Sequence, residues 1–306
     1  MINRRRFTRR LVYAAAGMMV PFSPVFVRPS PAAAQKPPEL AVVSGPDYPA
    51  LVREALRLIG GMERFVRPGK SVVVKPNIAW DRPPELAATT HPQVVGTVVE
   101  LVLAAGAKQV TIFDHTCNEP RRCYVNSGMT ELIETLRDRR VRLEHIDRRK
   151  FVRTSIPAGR SLREWEIYQD ILTADCHINV PIAKHHGLSR LTLGLKNVMG
   201  AIGGNRGRLH HGLAQNLADL ATVIKPTVTL IDATRILMDN GPQGGRLEDV
   251  RRTDTVIASA DPVAADAVAT TLFGLRPEDI ETTVAAARMG LGEMDMSRIT
   301  VREHRL

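Results

Sequence analysis

Short, unbroken apolar runs separated by stretches of helical periodicity recur from Leu40 to Leu272, and this alternation restricts the chain to few architectures. Leu40–Val43, Ser71–Val74, Val110–Phe113, Val141–Ile146, Cys176–Val180, Val228–Ile231 and Val256–Ser259 read as strands. Pro49–Ile59, Pro92–Ala105, Met129–Arg139, Leu213–Ile224 and Pro262–Leu272 read as helices, two of them starting on a proline that follows His91 or Asp261. Strands that are apolar throughout, with no polar alternation, are buried on both faces. The expectation is an α/β fold: a mainly parallel sheet with helices on both faces, Rossmann-like and three-layered, as one domain over 35–306 or as two closely joined halves.

Residues 1–34 are set aside from that fold as a leader. Asn3-Arg4-Arg5-Arg6-Phe7-Thr8-Arg9 resembles the twin-arginine export signal, and the apolar segment Leu11–Val20 and then Ala32-Ala33-Ala34 follow it. The apolar run is well short of the roughly 20 residues that span a bilayer, so cleavage before Gln35 is expected rather than a stable membrane anchor. This predicts a periplasmic or secreted protein whose partner during export is the twin-arginine translocase. The leader also explains the charge. Six of the 42 basic residues and none of the 32 acidic ones lie in it, so the net charge falls from +10 to about +4. With 4% aromatics and no binding motif, nucleic acid is not an expected partner.

In a sheet of this kind ligands bind beyond the carboxyl ends of the strands, and polar residues gather there. Lys75 and Asn77 follow the second run, Asp114 and His115 the third, Lys184, His185 and His186 the Cys176–Val180 run, Asp232 the next, and Asp261 the last. Asp261 reads first as a helix cap. The segment Lys184–His211 is the densest: it holds four of the nine histidines and several lysines and arginines, with no carboxylate. A folded version suits a small anionic ligand, a carboxylate or phosphate. Within it, Leu188, Leu191, Leu195 and Val198 fall on one helical face, predicting a helix over Leu188–Met199 that ends on Lys196 and Asn197. Gly200–Gly207 reads as a lid whose backbone N–H groups cradle an anion, assisted by Arg206 and Arg208. The candidate catalytic residues are therefore Lys184, His185 and His186. The candidate binding residues are Lys75, Asn77, Lys196, Asn197, Arg206, Asp114 and Asp232. His185 and His186 are adjacent, so on an extended segment only one faces the site, and His210 and His211 pose the same choice. No P-loop, GxGxxG or GxSxG pattern is present, which leaves nucleotide binding and serine hydrolysis without support.

Three cysteines, Cys117, Cys123 and Cys176, are too few for a self-contained ferredoxin-type cluster. Cys117 and Cys123 fit either a disulfide clipping their loop or, with His115, a metal site. Cys176, in an apolar strand, reads as a buried thiol.

Val74-Lys75-Pro76-Asn77, Thr90-His91-Pro92, Asn179–His186, Leu195–Gly200, Asp239–Pro242 and Ala260–Asp266 occur in one order along most of the mature chain. Together they resemble the family catalogued as domain of unknown function 362. Many of its members resemble iron–sulfur proteins through an appended ferredoxin-like module, and others carry a twin-arginine leader. A more distant similarity, in fold and in histidines near a Rossmann-like edge, is to the nickel-pincer lactate racemase family. Two classes of function fit. One is an exported enzyme, isomerase- or racemase-like or redox-associated, acting on a small anion by His/Lys acid–base chemistry. The other is a non-catalytic metal- or cofactor-binding protein, iron–sulfur-associated in the family's manner, with the histidines and Asp114 or Asp232 as ligands. Neither the metal nor the cofactor is specified by the sequence.

Overall fold

The computed structural model describes residues 39–306. The leader and its cleavage site lie outside the described residues. Twelve strands are described: β1 (Glu39–Ser44), β2 (Ser71–Pro76), β3 (Gln109–Ile112), β4 (Val141–Leu143), β5 (Phe151–Ser155), β6 (Glu164–Tyr168), β7 (Cys176–Val180), β8 (Ile182–His186), β9 (Arg190–Thr192), β10 (Val228–Leu237), β11 (Val250–Ser259) and β12 (Thr300–Arg305). The α-helices are α1 (Tyr48–Leu58), α2 (Pro92–Ala104), α3 (Pro120–Asn126), α4 (Met129–Leu136), α5 (Gln169–Thr173), α6 (Gly194–Asn197), α7 (Leu213–Ala221), α8 (Pro262–Thr271) and α9 (Glu281–Arg288).

The main sheet runs β12-β1-β11-β10-β7-β2-β3-β4. Every pair from β10 to β4 is parallel, and so is β1 with β12; β11 alone runs antiparallel to both of its neighbours. Where β7 ends, β8 takes its place beside β10 and folds back on β9. Helices cover both faces. Valines of α2 and leucines of α1 pack on Val72, Val74, Val110, Ile112 and Ile178 on one side. On the other, α7 meets Val73 and Phe113, and α8 meets Ile231 and Ile257. This is the expected α/β class, with the sheet mostly parallel.

The helix starts follow local chemistry. The Asp261 carboxylate accepts from the N–H groups of Val263 and Ala264, both at 2.9 Å, and a proline occupies the next position, where no N–H is needed. His91 caps α2 in the same way, its ring accepting from Gln93 N–H at 3.3 Å.

Three expectations are corrected. Leu188–Met199 is not one helix: residues 187–189 turn, β9 follows, and only Gly194–Asn197 is α-helical. Pairing with β8 and burial of Leu191 and Leu193 under β10 outweigh the helical spacing. Lys184, His185 and His186 do not follow a strand as a loop but form β8 itself. Asp232 lies in the middle of β10, because β10 and β11 continue as a ten-residue antiparallel pair past the apolar runs that announced them. The hairpin β5–β6, the edge strand β12 and helices α3, α5 and α9 are also present among the described residues. Among the described residues no helix is long and apolar enough to cross a membrane.

Candidate functional site

Lys75 is the last residue but one of β2, and its side chain is fully buried. Its ammonium donates to Asp114 Oδ1 at 2.8 Å and to the Pro76 carbonyl at 2.9 Å. Asp114, just beyond β3, accepts the Ile78 N–H on its other oxygen at 2.6 Å. Burial pulls the Lys75 pKa down, and Asp114 opposes it. Hydrogen-bonded on both sides, the pair is a fixed post between two strand ends.

Buried amides extend from it. Asn197, the last residue of α6, donates to Asn179 Oδ1 at 2.8 Å and to the Lys75 carbonyl at 3.2 Å. Asn77 donates to Asn197 Oδ1 at 3.1 Å, and its own Oδ1 accepts from Lys184 Nζ at 3.3 Å. Lys184 also donates to the Ala88 carbonyl at 2.5 Å. This network ties β2, β7, α6 and β8 together, and each amide is used on both ends.

Beside it lies a cavity of about 400 Å³, walled by Asn77, Trp80, Cys117, Lys184, His186 and Lys196 among others. Lys184 is 1% exposed and Lys196 8%. Burial lowers Lys184 to about 7, with Lys196 and Lys75 adding to the effect and Cys117 and Asp114 opposing it. Burial likewise lowers Lys196 to about 8. Among the described residues the Lys196 ammonium touches only a weak acceptor, the Met199 sulfur at 3.0 Å. Three lysines thus share one carboxylate, already committed to Lys75.

Alternation along β8 separates the two adjacent histidines. His186 joins the cavity wall, with Nδ1 accepting from the N–H groups of Leu188 and Ser189 at 3.1 and 3.4 Å, so the neutral ring carries its proton on Nε2. Burial holds its pKa down at about 3. His185 faces the other way, taking the Gly241 N–H at 3.0 Å beside a smaller pocket with Met238 and Phe273. His210 reaches the cavity wall. Arg206 also lines the cavity, where its guanidinium clamps the carbonyls of His115 and Thr116 at 2.7 and 2.8 Å and fixes the loop after β3. Asp232 is fully buried away from the cavity and organises backbone, accepting from His91 N–H at 2.7 Å and from Thr234.

Trp80 and Thr192 are cavity residues that the sequence patterns did not single out, and His115, read from sequence as a strand-exit residue and a possible metal ligand, lines the cavity with them. His115 is informative: its Nδ1 faces the Ile202 carbonyl at 2.7 Å, and since a carbonyl only accepts, the proton sits on Nδ1 and Nε2 is left as the acceptor. Burial lowers its pKa. Its position immediately after Asp114, at the end of a strand, is the signal that named it in the sequence. The three cysteines are free thiols: Cys117 is exposed at the cavity, Cys123 is buried in α3 with its sulfur 3.8 Å from the Ala79 carbonyl, and Cys176 is buried. The clip between Cys117 and Cys123 is therefore not formed here. Among the described residues no three His, Cys, Asp or Glu side chains converge as a metal centre requires, and His115, Cys117 and Cys123 are no exception.

A mostly parallel α/β sheet with a lysine-rich cavity at its strand ends is the class of protein these features define. The chain belongs to the family described as Domain of unknown function (DUF362), whose model matches residues 72–271. A thylakoid-associated protein of Synechocystis sp. is 29% identical over 79% of this chain and 75% of its own length. Among solved structures, the lactate racemase apoprotein of Thermoanaerobacterium thermosaccharolyticum aligns over 72% of this chain with 11% identity and a TM-score of 0.44. This chain spans about half of that racemase, 54%. A protein of Thermotoga maritima aligns over 76% of this chain and 60% of its own, with 12% identity and a TM-score of 0.41.

Proposed function

We propose that the cavity binds a small carboxylate or phosphate and that the protein transforms it by proton transfer. The observation that carries this reading is the charge balance of the cavity: Lys184 and Lys196 are buried there with no carboxylate partner among the described residues, since Asp114 is taken by Lys75. Uncompensated buried ammonium groups are costly, and a bound anion removes that cost. The proton-exchanging groups are to hand. Lys184, at about 7, changes charge near neutrality; His115 offers Nε2 as an acceptor and His186 offers Nε2–H as a donor. The Arg4–Arg6 leader supports export of this activity to the periplasm or beyond, for which mass spectrometry of the exported chain is expected to give an N-terminus at Gln35.

The test is a thermal-shift and calorimetric screen of small carboxylates and phosphates. Saturable binding by the wild type is expected, weakened at least about tenfold, or some 1.4 kcal/mol, in Lys196→Met. Binding unchanged in that variant removes the reading.

A further inference from the structure

Lys184 Nζ is held from two sides by groups that only accept, the Ala88 carbonyl and Asn77 Oδ1. Asn77 cannot offer its nitrogen there, because that nitrogen donates to Asn197. No carboxylate of the described residues lies within ion-pair reach of Lys184. A neutral amine has two N–H bonds and one lone pair. The two acceptors take both N–H bonds and leave the lone pair as the remaining direction, on a residue that forms part of the cavity wall. A protonated amine in the same seat would have a third N–H without a described acceptor. With no anion beside Lys184, its seat is therefore that of an amine rather than an ammonium.

Resting on the anion-binding reading of the cavity, we infer that Lys184 is a nucleophile that condenses with the carbonyl carbon of a 2-oxo acid whose carboxylate is drawn in by Lys196. Burial among like charges, which favours the uncharged amine, is the usual way a lysine is prepared for this chemistry. The lone pair forms the C–N bond as the carbonyl π pair moves to oxygen. One amine proton passes to that oxygen, giving a carbinolamine. The Lys196 ammonium protonates the hydroxyl, which leaves as water while the nitrogen pair closes the C=N bond. Amine, oxo acid and one proton become a protonated imine and water, and the remaining N–H keeps its bond to Ala88. Lys196 regains its proton from solvent.

The imine is trapped by cyanoborohydride. The full mature protein is incubated with glyoxylate, pyruvate or phenylpyruvate and the reductant, and the adduct is located by peptide mass mapping. One reduced adduct per chain on Lys184 is expected, absent in Lys184→Arg and formed at least tenfold more slowly in Lys196→Met. Adducts scattered over surface lysines with Lys184 unmodified overturn the proposal. Lactate, which has the carboxylate but no carbonyl, separates the two readings. Saturable binding of lactate and the oxo acids without an adduct overturns the imine alone; no binding of any of them, nor of inorganic phosphate, overturns the anion site as well. Mapping is done on the wild type, so the result stands even where a variant fails to fold.

Discussion

Gly200 packs so closely on the Lys75–Asp114 pair that a Cβ at this position would overlap both Asp114 Oδ1 and Lys75 Nζ. A glycine is required here by close approach, not by backbone conformation. Gly200→Ala is predicted to pry the pair apart and to lower stability by about 3–5 kcal/mol, the cost of leaving a buried charge without its partner. Urea unfolding measures this, and a variant within about 0.5 kcal/mol of wild type would show that the pair is not held as described. The wall of the site was partly legible from residue types alone. Lys75, Asn77, Asp114, Lys184, His186, Lys196, Asn197 and Arg206 all come together in or against the cavity. His185 and Asp232 do not, and the reasons are local. Strand alternation turns His185 away from its neighbour, and an unannounced extension of β10 places Asp232 where it holds backbone N–H groups.

Helix α4 ends on Arg137, a non-glycine residue in the left-handed region at φ 48°. Glycine adopts that conformation freely, so Arg137→Gly is predicted to stabilise the protein by about 0.5–1 kcal/mol, read as a rise in melting temperature; a fall would contradict the capping argument. Elements with one strong signal, such as β2, β3 and β7, stand where the apolar runs put them, because burial on both faces leaves no competing pattern. Leu188–Met199 carried two patterns at once. Leu188, Leu191 and Leu195 match a helix, while Leu191, Thr192 and Leu193 match a strand with its leucines inward and its threonine toward the cavity. Pairing with β8 and burial of Leu191 and Leu193 against Ile231 and Ile236 of β10 decide between them, and the contact with β10 is a tertiary one that no local window contains. Leu188, left over from the helical pattern, is 71% exposed.

At the scale of the whole molecule, the buried bases make stability depend on pH. His177 and His186 are both lowered to about 3 by burial, below an unfolded value of about 6.5, so the unfolded chain binds more protons and stability is lost as pH falls through that window. Lys184 titrates near 7 when folded and near about 10.4 unfolded, so its contribution rises with pH between those values. Lys184→Met should therefore gain on the wild type more at pH 7 than at pH 10, by at least about 1 kcal/mol in paired unfolding curves; a pH-independent difference would mean the amine is not the titrating group. The same titration gives the most direct test of the cationic cavity. An anion seated against Lys184 and Lys196 stabilises their charged forms, so binding at pH 8 must draw protons from solution. Calorimetry of one bound carboxylate in two buffers of different ionisation enthalpy is predicted to show an uptake of about 0.5–1 proton per anion, diminished in Lys196→Met. A binding heat that is the same in both buffers would contradict the account.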